Sequence, residues 1–352
     1  MAEAVGYDVG TMFCQCAKQS ADGKVAVTNV RNAFVEVPGG EDIEEILARN
    51  SWQWVKDGKS YFVVGEDSLQ VAKLFPGKVE LRRPLQDGVL NRNEEKKNII
   101  LAKIIEDQCG KAPDNQSVVC TCISSPCIDI ETADNTFHSA RLKGMFARLG
   151  WNVKIIEEGL AVILSERPTT KDAEGKEIPY SGMGISFGAG RANCVLAYKG
   201  MQILGMSVQR SGDWIDKQVS QQTGMPISQV MAKKETVLDL NKDDYDDDVL
   251  FALSAYYDAM LKYVLGNFAA KLKDVKTEFS YPIDIVVAGG TSMPKGFENR
   301  VEKIIRSINL PFQINKVIKS ISPRNSVVSG LFTQAEIIKR KIEKGSIKPE
   351  EI

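Results

Sequence analysis

Two stretches half a chain apart follow one plan, and that repetition limits what the chain can fold into. Val5-Gly6-Tyr7-Asp8-Val9-Gly10-Thr11 runs from an apolar strand into a glycine turn, and apolar alternation resumes at 12–17 before a turn at 21–24. The segment 182–199 repeats the design, with a glycine turn at 187–190 and a second strand at 193–198. Laying Asp8 on Ser186 also lays Gly10 on Gly188 and Cys16 on Cys194, at an offset of 178 positions. In a chain of 352 residues, strand–turn–strand units at that interval point to a duplicated lobe.

The rest of the pattern agrees with an α/β fold of two lobes. Helical periodicity covers 91–109, 134–149 (stopped by Gly150), 157–166 and 249–273, with further helices from Asp213, Ile227 and Asn325. Between them lie strand signals at 61–65, 117–123, 154–156 and 283–288. Such alternation of strand and helix favours α/β over all-helical or all-strand architectures. The polar stretch 168–181, with two prolines, reads as an exposed loop between lobes.

Charge narrows the function classes. With 45 Lys and Arg against 46 Asp and Glu, the net charge of −1 gives no broad positive field for nucleic acid or an anionic membrane. The longest apolar runs, such as 283–290, are too short to cross a bilayer, and no membrane anchor or signal segment is seen at the start. Seven cysteines without small-scaffold spacing fit a reducing, cytoplasmic setting. Cys14 with Cys16, and Cys120 with Cys122, each share a strand face; they read first as small buried hydrophobes and second as a four-thiol zinc site. His138 is the only histidine, which removes Ser–His and multi-His chemistry. Trp52 and Trp54 read as core or as a subunit contact, and the acidic run 243–248 as a solvated loop.

Glycine turns between strands free backbone N–H groups to converge on a phosphate. Three turns qualify: Gly10-Thr11-Met12, Gly188-Ala189-Gly190, and Gly289-Gly290-Thr291-Ser292 directly after a strand. Asp8 is the carboxylate at the first turn, suited to hold Mg²⁺ through water, with a turn-capping role as the plainer reading. Asp213 and Asp216 lie three apart on one helix face after Gly212, where helix capping is the plain reading.

In these stretches the chain resembles the actin-like ATPases, and within them the MreB and MamK bacterial actins. Val5 to Thr11 is similar to the first phosphate loop, and Arg83-Pro84-Leu85-Gln86-Asp87-Gly88-Val89 to a characteristic MreB segment. Ser124-Ser125-Pro126-Cys127-Ile128-Asp129-Ile130-Glu131 resembles the stretch that ends in the family's water-positioning Glu; the plain reading of Glu131 is a helix-start carboxylate. Ile155-Ile156-Glu157-Glu158-Gly159-Leu160-Ala161 resembles the interdomain helix, Gly212-Asp213-Trp214-Ile215-Asp216 the motif after the second loop, and 285–294 with Gly296 the adenosine loop.

The resemblance implies the actin/hexokinase/heat-shock ATPase fold: two lobes around a nucleotide cleft, domain I being 1–155 with 322–352 (a small outer subdomain at about 33–77) and domain II 156–321. It further implies an ATP- or GTP-binding, Mg²⁺-dependent ATPase that polymerises into filaments, slow here because Ser186 replaces the family's Asp. Glu131 and Asp8 would act at the phosphates. Gly10, Thr11, Met12, Ser186, Gly188, Ala189, Gly190, Arg191, Gly212, Asp213, Lys233, Gly289, Gly290, Thr291 and Ser292 would hold the nucleotide. Two departures matter. Ser186 stands where the family has Asp, and Arg191 where it has Thr, so a metal-supporting carboxylate is lost and a phosphate-reaching cation is gained. Around Ala232-Lys233-Lys234-Glu235-Thr236 the family's ribose-holding Glu/Lys pair is scrambled. The rival readings are a non-polymerising ATP-binding adaptor of the same fold, of the FtsA or pilus-adaptor type, and a sugar kinase; the kinase is disfavoured because no further sugar-site loop with an Asp is found.

Overall fold

The computed structural model describes residues 2–37, 40, 42–75, 78–130, 135–166, 169–171, 174–279 and 281–352. Two compact units are present: one comprises Met1–Thr121, Thr136–Ile155 and Gln334–Ile352, the other Cys122–Asn135 and Ile156–Thr333.

The first unit begins with an antiparallel meander, β1 (Ala4–Val9), β2 (Phe13–Gln19) and β3 (Val25–Arg31). A small outer sheet follows, built from β4 (Phe34–Val37), α1 (Ile43–Arg49), β5 (Trp54–Asp57), β6 (Ser60–Val64) and α2 (Glu66–Leu74), with strand order β4-β6-β5. Its core is Val35, Leu47, Tyr61, Val63 and Val71, and the half-buried Trp52 and Trp54 pack against it. A tight hairpin, β7 (Leu85–Gln86) and β8 (Val89–Leu90), leads to α3 (Lys97–Cys109), β9 (Val118–Ile123), α4 (Asn135–Arg148) and β10 (Asn152–Glu157). The main sheet runs β10-β9-β1-β2-β3, with β9 parallel to β1. Burial falls from the centre outward. Val5, Tyr7, Val118 and Cys120 are fully buried, whereas β3 is an edge strand of mixed polarity.

The second unit contains α5 (Glu158–Glu166), β11 (Thr169–Lys171), β12 (Glu177–Pro179), β13 (Gly182–Phe187), β14 (Ala192–Tyr198), β15 (Met201–Val208), α6 (Gly212–Thr223), α7 (Ile227–Thr236), α8 (Asp248–Leu272), β16 (Ile283–Ala288), α9 (Phe297–Arg306), β17 (Ile314–Lys319) and the start of α10 (Ser326–Glu343). Its sheet runs β15-β14-β13-β16-β17, with β13 antiparallel to β14 and parallel to β16. The strand order of one unit therefore repeats in the other.

The repeat is exact in register. Tyr7 pairs with Cys16 and Asp8 with Gln15 on β1–β2; Ile185 pairs with Cys194 and Ser186 with Asn193 on β13–β14, each partner displaced by 178 positions. It persists through the turns, where Gly10 N donates to Phe13 O at 3.0 Å and Gly188 N to Arg191 O at 2.9 Å. Two helix ends carry characteristic caps. Asp247 accepts from Val249 N and Leu250 N at the start of α8, and Gly224 ends α6 in the left-handed region.

One expectation is corrected. The stretch 168–181 is no plain loop: Thr169–Lys171 and Glu177–Pro179 pair as an antiparallel ribbon within the second unit. Its β-branched threonines favour strand, but the charged neighbours mask any apolar period. The zinc reading of the thiols also gives way to packing. All seven cysteines are free, six are buried, and among the described residues no group of three or more His, Cys, Asp or Glu is placed to hold a metal ion. His138 is buried and its Nδ1 accepts from Leu90 N at 3.3 Å, so the lone histidine braces the β7–β8 hairpin.

Gly330 of α10 marks a close approach between helices, since a Cβ there would lie 1.8 Å from the Ala161 carbonyl oxygen of α5. Helix propensity alone favours Ala over Gly by about 1 kcal/mol, but the overpacking cost of about 1–3 kcal/mol or more opposes it and wins at this distance. Gly330→Ala is therefore expected to destabilise the protein, seen as a lower urea midpoint; an unchanged or higher midpoint contradicts the contact.

Candidate functional site

At the first turn, polar groups are committed to holding the loop. Fully buried Asn32 donates Nδ2 to Gly10 O at 2.8 Å and its own N–H to Met12 O at 2.9 Å. Thr11 Oγ1 accepts from Gly88 N at 3.1 Å. Gly88 and Asp87 form the tip of the β7–β8 hairpin, both with positive φ (74° and 51°), as a mirror-image two-residue turn requires. The Arg83–Val89 motif thus serves to brace the first glycine turn. Asp8, one residue before the end of β1, is half-buried.

The second unit brings together motifs distant in sequence. Gly188 O accepts from Ser211 Oγ (2.6 Å), Thr291 Oγ1 (2.8 Å) and Gly212 N (3.2 Å), and Ala189 O accepts from Asp213 N (2.8 Å). The second glycine turn, the start of α6 and the 289–292 turn therefore form one cluster. Gly289 has φ 95°, and a Cβ would fall 2.2 Å from Phe187 O, so the third turn tolerates only glycine there. Tyr257 OH on α8 secures this turn through Thr291 O at 3.0 Å, and Ser292 Oγ donates to Gly289 O.

Two lysines neighbour each other in α7, and they diverge. Lys233 is paired with Asp247 at the start of α8. Lys234 is buried, donates to Asp216 Oδ2 at 2.7 Å and reaches Gly212 O at 3.4 Å. Burial raises the Asp216 carboxyl above its usual range, and the Lys234 charge pulls it back. Lys233 is the lysine that the sequence pattern singles out, and Asp216 reads there as a capping residue; in the structure Lys234 and Asp216 are the pair bonded at the start of α6. Adjacent residues of a helix project about 100° apart, so the two lysines take different partners.

The segment 124–130 is stitched to β14 and β15 of the same unit. Ser125 N donates to Asn193 Oδ1 (3.0 Å), Asn193 Nδ2 to Glu158 Oε2 (2.9 Å), Ser207 N to Pro126 O (2.8 Å) and Ile128 N to Ser207 O (3.0 Å). Gln209 N donates to the Asp129 carboxylate at 3.1 Å. Glu131, which follows, lies outside the described residues. Asn193 was missed from sequence because an Asn on a strand carries no motif of its own.

Arg191 closes the second turn and is 2% exposed. Its Nε, Nη1 and Nη2 have no hydrogen-bond partner among the described residues. This burial keeps the side chain out of solvent. The second turn thus combines a backbone carbonyl fixed by three donors with a buried guanidinium that has no hydrogen-bond partner among the described residues.

The fold is the actin-like α/β fold. It matches the MamK double helical filament (TM-score 0.65, 18% identity, 96% of this chain and 99% of that one) and MreB 5 of Spiroplasma citri bound to AMPPNP (TM-score 0.68, 15% identity, 98% and 99%). MreB 5 of Spiroplasma citri bound to ADP matches similarly (TM-score 0.65, 15% identity, 98% and 99%). Residues 3–335 match the Volactin family model, and the chain belongs to the Volactin family. No curated protein matches the sequence.

Breaking the buried pair tests the cluster. Lys234→Met strands the Asp216 carboxyl in the interior and is expected to cost about 3–5 kcal/mol, whereas adding Asp216→Leu recovers most of it. Urea unfolding of the single and double variants reads this; equal loss in both denies the pairing.

Proposed function

We propose that this chain is a nucleotide-binding actin-like protein that assembles into filaments and hydrolyses ATP slowly. The observation that carries the reading is the cluster around Gly188, where three motifs shared with the actin-like pattern meet in one unit. Similarity in fold to a filament, and to proteins bound to AMPPNP and ADP, supports it.

In this reading Gly10, Thr11 and Met12 with Ser186 and Gly188–Arg191 serve the phosphates, and Gly212, Asp213, Lys233 and Gly289–Ser292 serve the nucleoside. For Mg²⁺, the first unit supplies one carboxylate, Asp8, near the end of β1. That donor set fits an ion held through its water shell on the phosphates, not one stripped of water by protein ligands. When bound, Mg²⁺ neutralises phosphate charge. Glu131 is assigned to orient the attacking water, a step that needs positioning more than covalent chemistry. Domain I as 1–155 with 322–352 and domain II as 156–321 remain the proposed division for nucleotide-linked motion. Among the described residues no helix is long and apolar enough to cross a membrane, and the assembly is proposed to work in the cytoplasm.

A ligand bound only by the folded state at a hundred times its Kd adds about 2.7 kcal/mol of stability. Melting with ATP, GTP or ADP plus Mg²⁺ is expected to show that shift, and pelleting with electron microscopy to show filaments with ATP. No shift with any nucleotide overturns the reading. Asp8→Ala is expected to remove the Mg²⁺-dependent part of the shift; an intact magnesium dependence removes Asp8 from that role.

Glu131→Ala is expected to slow phosphate release by roughly tenfold to a thousandfold with nucleotide affinity nearly intact. Equal rates return Glu131 to a plain helix-start carboxylate.

A further inference from the structure

The two glycine turns share register and backbone hydrogen bonding, so their side chains can be compared position by position. The first turn pairs Asp8 with a neutral residue at the closing position, Phe13; the second pairs neutral Ser186 with the cation Arg191. Register-matched sites in one chain thus differ by two units of charge, and the backbone does not require the difference. Phe13 shows that an apolar side chain closes the same turn.

A guanidinium stays protonated at any working pH, so burial cannot neutralise it. Leaving it desolvated without a partner is strongly unfavourable, and an apolar residue of similar volume is the cheaper choice. Cys127 lies close enough to feel its charge, yet burial and the hydrogen bond to Asp129 push that thiol upward and outweigh Arg191, so Cys127 supplies no thiolate. The planar fork of five N–H donors matches the oxygens of a phosphate. Resting on the nucleotide reading above, we propose that Arg191 is a fixed counter-charge for the polyphosphate of a bound nucleotide, which lets this protein hold ATP or ADP without Mg²⁺.

The test uses the full chain, titrated with ATP and ADP by calorimetry in Mg²⁺ and in EDTA, together with melting of the ligand-free protein. Wild type is expected to lose less than about tenfold in affinity on removal of Mg²⁺. Arg191→Met is expected to lose roughly 10- to 100-fold in EDTA, the scale of a charge-assisted contact, and Arg191→Lys to fall between. Ligand-free Arg191→Met is expected to melt higher than wild type, because an unpaired buried cation has been replaced by an apolar side chain; a structural arginine would give the opposite sign. Binding that needs Mg²⁺ in wild type, or an Arg191→Met variant that binds ATP in EDTA like wild type or melts lower than wild type, overturns the inference while leaving nucleotide binding in place. Absence of nucleotide binding under every condition overturns the underlying reading instead. Protection of wild type by inorganic phosphate or sulfate, with none from ATP or ADP, assigns Arg191 to a free oxyanion and overturns the polyphosphate assignment.

Discussion

One carbonyl organises the second unit. A backbone oxygen has two lone pairs, yet Gly188 O takes three donors, from Ser211, Gly212 and Thr291. Each such bond contributes only about 0.5–1.5 kcal/mol net, so the effect is less on global stability than on geometry. The donors come from the start of α6 and from the turn after β16, and neither element can shift without breaking a bond at the same atom. The turn that carries Arg191 is consequently held from two directions. Tyr257 and Lys234 extend the hold to α8 and α7 through Thr291 O and Gly212 O.

Much of this was legible in the sequence because period and punctuation survive averaging. The 178-residue offset found from Asp8, Gly10 and Cys16 holds residue by residue in both hairpins and through both turns. The long helix α8 was readable from its apolar spacing, and α6 from Asp213 at its start. What could not be read was tertiary. The ribbon of β11 and β12 has no apolar face to announce it, and the two residues of β7 are too few for any period. Choosing between Lys233 and Lys234 depends on where α7 points, which adjacent identical residues conceal. The side of the sheet taken by Arg191 was equally hidden, because a glycine turn resets the alternation that strand periodicity relies on.

The small outer sheet shows the same limit from another side. Trp52 and Trp54 read equally well as core or contact residues, since aromatic side chains suit both. In the structure both are half-buried against Tyr61, Val63 and Leu47, with the Trp54 and Tyr61 rings 5.4 Å apart. Cysteine behaves likewise: pairs on one strand face are compatible with a metal or with plain packing, and only the distribution of the other ligand-type residues distinguishes them.

The register-matched hairpins carry a consequence for how such a protein diversifies. Backbone hydrogen bonding sets the loop, while the residues at two matched positions set the charge it presents. A lineage can therefore edit the electrostatics of one copy by point changes and leave the scaffold, and the sister copy, untouched. Duplication in this chain separates inheritance of shape from inheritance of chemistry.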